Sequence, residues 1–370
     1  MTKIALYLAG GGARGAYQAG VLKAISQILK TKTIPFAMVS GVSVGSINAA
    51  ILAQHADDFP LGVEKLETLW QDIHCDQIFH AKNYDLSKSL LRNLSHLFLK
   101  GPQTTHLLDT MPLHSFINNH INFEQIKVHI EENRLETMEV ISHCYESQRT
   151  VSFYQHNKPH FEDWHYPRHI SQRVGMSMEH ILASSALPLF FPTVKIAGSH
   201  YGDGSMGLIS PLRGALRFNI QKVLILGTRQ LHSFDEHEKL SSKDIGFAHV
   251  LGSMLNGVFL DNLDRDIEQV NRMNEIVRLL SIWKKRNAPW RPIQTLHLRP
   301  SVDVAKIAQA DYQAMPTLLR MLLNILGAQS HSGDLLSFLL FEKKFTQDLI
   351  ELGYNDTMNS ANVVTDFFRS

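Results

Sequence analysis

The sequence predicts an α/β protein built around a mainly parallel sheet, and three observations lead to this fold class. Over the first 56 residues, short apolar segments alternate with helical patterns in the order strand, helix, strand, helix. Residues 222–227, KVLILG, form an apolar run typical of a strand covered on both faces near the middle of a sheet. Apolar residues make up 44% of the 370-residue chain, enough to bury a large core. One large domain with helical excursions is the simplest organisation.

The first elements follow from the spacing of apolar residues. A strand is predicted over residues 4–9 and a second over residues 36–39, and each runs into a glycine-rich turn. Residues 57–135 are richer in His and Asn, and their short helical patterns predict a helical insertion. The helix between the two strands has one apolar face, formed by Tyr17, Val21, Ala24, Ile25 and Ile28.

The later part of the chain returns to strands and then becomes mainly helical. A long helix is predicted over residues 251–280, and more helices from residue 304 onward. No internal repeat or flexible linker divides the chain. We therefore expect residues 1–230 to form the main domain and residues 231–370 a mainly helical extension packed on it. The remaining strands are predicted over residues 139–145, 151–155 and 294–298.

The composition excludes several classes of protein. Lys and Arg number 36 and Asp and Glu 35, so the net charge of +1 provides no general attraction for nucleic acid. The two cysteines, Cys75 and Cys144, cannot form a disulfide framework, and we expect them to be core thiols in a reducing compartment. The 20 histidines include no pair at metal-ligand spacing, so we expect neither a metal nor a cofactor.

The sequence gives no sign of secretion or membrane insertion. The apolar run at residues 4–9 is too short for a signal peptide. Residues 33–56 contain no Asp, Glu, Lys or Arg, but their serines and glycines, with Asn48 and Gln54, make them too polar for a membrane span. We therefore expect a cytoplasmic protein.

A glycine-rich loop after the first strand predicts an anion site. Free backbone N–H groups and a helix dipole meet where a strand passes into a helix, and glycines let an anion approach the backbone. The loop also fits the GxGxxG pattern of dinucleotide-binding folds, which require an acidic residue at the end of the second strand. No acidic residue is there. The loop residues are Gly10, Gly11, Gly12, Arg14 and Gly15.

The second strand ends in a GxSxG motif formed by Gly41, Ser43 and Gly45, which is typical of a nucleophile elbow. Alone the motif is weak, because Ser43 or Ser46 could simply be a helix N-cap. Its position one βα unit after the glycine loop strengthens it, since acyl transfer needs a nucleophile and an oxyanion hole at one sheet edge. The α/β-hydrolase fold is excluded, because its nucleophile follows the fifth strand and the 42 residues before Ser43 leave room for two.

A base for this serine has to come from later in the chain. Asp203 lies between Gly202 and Gly204 in a YGDGS sequence. An aspartate between two glycines is, on its own, typical of a turn.

Taken together, these three motifs resemble those of the patatin-like phospholipases, which combine a GGGxRG loop, a GxSxG serine and a later DGG or DGA. Residues 183–194 are similar to the ASxAxP...FP block of that family, and residues 107–113 and 335–353 resemble segments of its bacterial members. The resemblance covers nearly the whole chain. It implies a three-layer α/β/α sandwich, with residues 1–230 as the catalytic domain and residues 57–135 as an insertion or cap.

The resemblance also implies the roles of the site residues. Ser43 would be the nucleophile, Asp203 the general base of a Ser-Asp dyad, and the amides of Gly11 and Gly12 the oxyanion donors. Arg14 would either attract an acidic head group or form a structural ion pair that fixes the loop. Ser205 stands where the family has Gly or Ala, and its hydroxyl could stabilise the Asp203 carboxylate and weaken it as a base.

Several functions are compatible with these motifs. The first is a serine hydrolase that cleaves carboxylic esters of phospholipids or lysophospholipids through an acyl-serine intermediate. An acylglycerol or short-chain esterase would use the same dyad. A phosphate- or nucleotide-binding module would use the glycine loop alone, and an inactive scaffold would follow from Ser205. The sequence does not predict the oligomeric state.

Residues 82–100 predict a contact with lipid. They carry four basic residues and one acidic residue, so the segment is locally cationic. In a helix, their apolar residues would share one face, which is typical of an interfacial helix on an anionic membrane but also of a helix packed on its own domain. We expect transient binding at the inner face of a membrane through this segment, as a cap over the site. The apolar residues are Leu86, Leu90, Leu91, Leu94, Leu97 and Phe98.

Overall fold

The structure is a computed structural model that describes most of the chain. The segment 82–100, with its predicted interfacial helix, lies outside the described residues, and membrane contact through it stays a prediction. So do parts of the predicted helix at 251–280. The described residues are 2–80, 106–158, 160–230, 252–254, 257, 261–280, 291–325 and 333–369.

Ten strands of the described chain form one sheet. Five neighbouring strands are parallel, in the order β10-β9-β1-β2-β3, and β3 then pairs antiparallel with both β4 and β8. The strands are β1 Ile4–Leu8, β2 Met38–Val42, β3 Thr137–Cys144, β4 Arg149–His156, β5 His165–Tyr166, β6 His169–Arg173, β7 Val194–Ile196, β8 Ser199–Asp203, β9 Lys222–Leu226 and β10 Gln294–Leu298.

Helices connect the strands and fill most of the C-terminal part. The predicted insertion contributes four of the described helices, α3 to α6. The helices are α1 Ala16–Leu29, α2 Val44–Ala53, α3 Phe59–Gln71, α4 Cys75–Ile78, α5 Met111–His120, α6 Phe123–Glu131, α7 Met178–Ser184, α8 Arg213–Arg217, α9 Asp261–Leu279, α10 Val304–Ala310, α11 Thr317–Ile325, α12 Gly333–Leu339, α13 Lys343–Asn359 and α14 Ala361–Arg369.

The sheet separates two hydrophobic cores. Along β1, Ile4, Leu6 and Leu8 point to one face, and Ala5 and Tyr7 point to the other, as the two-residue period of a strand requires. The larger core packs against α1, α2, α3 and α13, and the smaller core against α8 and α9. The result is a helix layer on each face of a mostly parallel sheet, which confirms the predicted fold class.

Several elements differ in detail from their predictions. The second strand begins at Met38, because Phe36 is buried in the core ahead of the strand. Strand β9 lies inside the sheet but is next to the edge strand β10, so it is not central. Strand β10 has the predicted bounds, and β3 and β4 lie where strands were predicted. Cys75 and Cys144 are buried free thiols, as predicted.

The C-terminal part of the chain completes the same sheet and core. Strand β10 pairs with β9 in parallel, and α13 packs along α1. The domain boundary at residue 230 stays a prediction. Among the helices that the structure describes, none combines the length and the apolar character needed to cross a bilayer.

Helices α1 and α13 approach each other closely at Gly20. A Cβ on this residue would overlap the carbonyl oxygen of Ile350, so only glycine fits between the two backbones. Alanine is the better helix former by about 1 kcal/mol on propensity alone. At this position the steric overlap opposes the propensity.

We therefore expect Gly20→Ala to lower the free energy of unfolding by about 1–3 kcal/mol, the usual range for overpacking a core. Urea denaturation followed by circular dichroism would measure it. Ser26→Ala is the matched control, because Ser26 lies on the same helix and is only half-buried. A Gly20→Ala protein more stable than the wild type would show that the two helices do not approach this closely.

Candidate active site

Ser43 lies at the turn between β2 and α2 in a backbone conformation that is rare for a residue with a side chain. Its φ and ψ are 56° and −131°. It occupies the N-cap position of α2, yet its side chain makes no capping hydrogen bond. The interpretation of Ser43 as a simple helix cap is therefore wrong. The strained turn instead has the geometry of a nucleophile elbow.

The glycines on either side of Ser43 permit this turn. A Cβ on Gly45 would overlap the carbonyl oxygen of Leu8 at the end of β1. A Cβ on Gly41 would overlap the backbone carbonyl of Gly45. The two glycines of the GxSxG motif are therefore needed for two close backbone contacts, one within the turn and one to the neighbouring strand.

Three other serines fix the backbone of Ser43. Its amide donates to Oγ of Ser184 at 2.9 Å, and that hydroxyl donates to the carbonyl of Ile141 at 2.6 Å. The carbonyl of Ser43 accepts from the hydroxyls of Ser46 at 2.6 Å and Ser185 at 3.3 Å. With its amide and carbonyl held in this way, the strained conformation is supported from both β3 and α7.

Asp203 is the last residue of β8 and the first residue of the turn that follows, because its carbonyl accepts from the amide of Met206 at 3.1 Å. It pairs with Ser142 on β3, one residue beyond the Val42–Ile141 pair of β2 and β3. Its backbone amide donates to the carbonyl of Ala186 at 3.0 Å. This register brings the carboxyl group to the carboxyl end of β2, where Ser43 lies.

Burial dominates the electrostatics of Asp203. The side chain is fully buried, and this burial raises the pKa of its carboxyl from 3.8 to about 6. The Ser43 hydroxyl and the amide and hydroxyl of Ser205 favour the carboxylate and lower the pKa by smaller amounts. The effect of Ser205 has the sign expected from the sequence, but burial outweighs it.

One oxygen of Asp203 is available. The amide of Ser205 donates to Oδ1 at 2.9 Å, whereas Oδ2 has no hydrogen-bond partner among the described residues. The hydroxyl of Ser142 is also buried without a partner in this part of the chain. Ser142 is the cross-strand neighbour of Asp203, so their side chains lie on the same face of the sheet. A buried, unpaired carboxylate oxygen can accept a proton.

The glycine loop is packed against the C-terminal part of the chain. Gly12 has φ 57°, and a Cβ there would overlap the carbonyl oxygen of Phe338 at the end of α12. The carbonyl of Gly10 accepts from Thr228 Oγ1 at 2.6 Å. Among the described residues, no hydrogen bond is donated by the amide of Gly11 or Gly12. Gly12 and Ser43 line the same cavity.

Arg14 contacts α12 and forms a structural ion pair with it. Its Nε donates to Ser337 Oγ at 2.8 Å, and its Nη2 lies 3.2 Å from a carboxylate oxygen of Asp334. Its guanidinium carbon lies 4.3 Å from the centre of the Phe338 ring. Burial lowers the pKa of Arg14 to about 10, which leaves it charged at neutral pH. These contacts correspond to the structural alternative and not to head-group binding.

A buried amide network joins the loop to the elbow. Gln18 Nε2 donates to the carbonyls of Ala9 and Leu226, at the ends of β1 and β9. Asn48 donates to Gln18 at 2.9 Å and to the carbonyl of Gly15 at 3.2 Å, and accepts from Trp70 Nε1 at 2.9 Å. Helices α1, α2 and α3 are thereby fixed to the strand ends that carry the site.

A narrow apolar cavity of about 40 Å³ adjoins Ser43. Leu69, Trp70 and Phe116 from the helical insertion form one side of it, and Phe338 and Phe341 close another. No histidine of the described chain lines this cavity, and no three His, Cys, Asp or Glu residues there could together hold a metal ion.

The structure thus brings together Ser43, Asp203 and Gly12, and it turns Arg14 toward α12. Sequence reasoning missed Ser142, Ser184 and Ser185. Ser184 and Ser185 belong to the block at residues 183–194, and their place in that block, just before Pro188, was the available sequence signal. In the structure both are buried, although serine favours the surface. Ser142 carries no local signal, because only strand pairing places it beside the aspartate.

Comparison with known proteins identifies the family. Lysophospholipase nte1 from Aspergillus terreus is 41% identical over 58 residues, which are 16% of this chain and 4% of that protein's length. The crystal structure of VipD from Legionella pneumophila aligns with a TM-score of 0.38 and 12% identity, over 98% of this chain and 67% of that chain. The family model for patatin-like phospholipases matches residues 6–216. That match covers more than half of the sequence, and the chain therefore belongs to the patatin-like phospholipase family.

Proposed function

We propose that this protein is a serine lipid acyl hydrolase that cleaves carboxylic esters of phospholipids or lysophospholipids. One observation carries the proposal: a serine in a strained turn lies beside a fully buried aspartate, and burial raises the pKa of its carboxyl to about 6. Membership of the patatin-like phospholipases supports ester hydrolysis of lipids. The choice between phospholipid and lysophospholipid is part of the proposal.

The acylation step follows from this arrangement. Ser43 Oγ attacks the ester carbonyl carbon, and its proton passes to Oδ2 of Asp203. The tetrahedral intermediate collapses when the bond to the alcohol oxygen breaks, and the proton on Asp203 passes to that leaving oxygen. The products are an acyl-serine and a lysolipid or a glycerol-based alcohol.

Deacylation reverses these roles with water as the nucleophile. Asp203 takes a proton from water while the hydroxide oxygen attacks the acyl carbon, and the proton then returns to Ser43 as the fatty acid leaves. The same carboxyl group therefore acts as base and then as acid in each half of the cycle.

The amides of Gly11 and Gly12 are proposed as donors to the oxyanion. They are not used by other described groups, and Gly12 borders the cavity that holds the Ser43 side chain. One such donor typically contributes about 2.7–4 kcal/mol to the stabilisation of the transition state. Because the loop is fixed by Phe338 and Thr228, its amides need little reorganisation during the reaction.

We expect Ser43→Ala and Asp203→Asn each to reduce hydrolysis of p-nitrophenyl butyrate by at least about 10²-fold, the lower end for loss of general base catalysis. The double variant should lose no more than the larger single loss, because the two residues act as a unit. Steady-state kinetics and labelling with a fluorophosphonate probe would measure this.

The matched controls for this pair are Ser26→Ala and Asp348→Asn, which lie on helices remote from the site. They should retain wild-type rates and labelling. Multiplicative losses in the double variant would exclude a dyad. Absence of labelling in the wild type would instead favour a phosphate-binding module in which the serine is not activated.

The rate of acylation should depend on pH through Asp203. The carboxyl must be ionised to accept the serine proton, and burial holds its pKa near 6. We therefore expect kcat/KM to fall on acidification with a midpoint near pH 6, measured between pH 4.5 and 8.5 on p-nitrophenyl butyrate. A midpoint near pH 4 would mean that the carboxyl is solvated and not buried as described.

Stability should show the opposite dependence. The folded protein keeps this proton up to pH about 6, whereas the unfolded chain loses it near 3.8, so ionisation between these values destabilises the fold. At pH 8, Asp203→Asn should raise the free energy of unfolding by up to about 3 kcal/mol, at 1.36 kcal/mol per pKa unit. Thermal unfolding at pH 4 should show much less difference between the two proteins.

Hydrolysis should continue in the presence of a chelator. The proposed chemistry uses a hydroxyl, a carboxyl and backbone amides, and no step requires a cation. We expect EDTA to leave the turnover of wild-type protein unchanged on both a soluble ester and phospholipid vesicles. A loss of turnover that calcium restores would contradict this mechanism.

A further inference from the structure

A second cavity, the side groove, adjoins the one at Ser43. It has a volume of about 310 Å³ and lies between α5, α7 and β7. Leu113, Ser185 and Phe191 line both spaces, so these three side chains form the partition between them. The side groove is therefore adjacent to the cavity at Ser43, on the far side of these three residues.

The lining of the side groove is mainly hydrocarbon. Thr110, Thr193, His114 and Lys195 complete it, and Lys195 is exposed to solvent. A chain of methylene groups would gain about 25 cal/mol for each Å² of apolar surface that it buries against such walls. The apolar lining residues are Leu113, Leu182, Ala186, Phe191, Pro192 and Val194.

A long acyl chain needs more space than the cavity at Ser43 provides. Ligand sites usually enclose roughly 300–1,000 Å³. The cavity at Ser43 measures about 40 Å³, which accommodates only a short acyl group. Together with the side groove it enters the range for a lipid-sized ligand.

Another groove of about 860 Å³ borders the same cavity behind Leu69 and Phe116, but its chemistry is different. Its lining includes Asp57, Asp58 and Asp72, together with several amide side chains. A hydrocarbon chain placed there would desolvate charged groups, including the salt bridges of Asp57 with Arg134 and of Asp72 with Lys343. The 860 Å³ groove is therefore the poorer match for an acyl chain.

Two exposed apolar side chains lie on the segments that carry Thr110 and Phe191, which line the side groove. Met111 is 60% exposed and Leu189 is 50% exposed. They belong to two segments that run side by side, since Leu107 donates to the carbonyl of Leu189 at 2.9 Å and Leu108 to that of Phe190 at 2.8 Å.

We propose that the side groove binds the distal methylene groups of a long acyl chain whose carbonyl lies at Ser43, and that Leu113 and Phe191 set the chain-length preference. The inference rests on the proposed function, since it assigns the acyl part of the substrate to a particular part of the molecule. It makes long-chain lipid, and not a short-chain ester, the preferred substrate class.

Filling the groove tests the proposal. Val194 lines the side groove but not the cavity at Ser43, so Val194→Trp should obstruct only the distal part of the chain. We expect the ratio of turnover on p-nitrophenyl laurate to that on p-nitrophenyl butyrate to fall at least tenfold. Val363→Trp, at an exposed valine on α14, is the matched control and should leave the ratio unchanged. An unchanged ratio in folded Val194→Trp protein would overturn the proposal.

Opening the partition provides a second test with its own comparison. Leu113→Ala widens the passage to the side groove, whereas Leu69→Ala makes the same chemical change in the wall toward the 860 Å³ groove. The laurate-to-butyrate ratio should rise at least threefold in the first protein only. A rise confined to Leu69→Ala would show that the acyl chain runs the other way.

Binding of laurate separates this proposal from the proposed function. In the Ser43→Ala background, displacement of a fluorescent fatty acid by laurate needs no turnover. Adding Val194→Trp should weaken laurate binding at least tenfold, and adding Val363→Trp should not. If the wild type hydrolysed no ester, the proposed function would fail while this measurement still decided the side groove. Equal laurate affinity in all three proteins would exclude the side groove as an acyl site.

Discussion

Direct contact between the backbones of the Ser43 turn and β1 is the constraint on which the site depends. No side chain fits between Gly45 and the carbonyl of Leu8, so the turn cannot shift relative to the glycine loop that follows β1. The parallel pairing of β1 with β2 places both strand ends at one edge of the sheet. Ser43 and Gly12 then line the same cavity. Proximity of this kind is one of the larger contributions a protein makes to catalysis.

Burial of Asp203 raises the pKa of its carboxyl and also lowers the stability of the fold. An aspartate in water is a poor base for a hydroxyl, and the surroundings of this one bring its pKa closer to neutrality. The same burial leaves Oδ2 and the nearby hydroxyl of Ser142 without partners in the described structure. Unpaired buried polar atoms reduce stability, and they are retained where function requires them. Ser184 and Ser185 form hydrogen bonds to the backbone of Ser43. These bonds order the turn and compensate for the unpaired polar atoms.

The features that sequence predicted well are those that short segments determine. Strand β10 has its predicted bounds, and the GxSxG elbow follows from glycines adjacent to the serine. The glycines around Asp203 predict the turn that starts there, but they do not predict its pairing with β3, some sixty residues earlier. Arg14 remained open between two roles because its partner, Asp334, is 320 residues away. Contacts between residues so far apart in the sequence do not affect the local periodicity of apolar residues.

The anchoring of the glycine loop by α12 also has a consequence for how the protein is made. All three sequence motifs lie within residues 6–216, which the family model matches, whereas the contacts to Gly12 and Arg14 come from residues 334–338. During synthesis the serine and the aspartate emerge from the ribosome more than one hundred residues before these anchors. The nascent chain therefore carries the chemical groups of the site well before the loop acquires its fixed shape. Hydrolytic competence would then arrive late in translation, after residues 334–338 have been made.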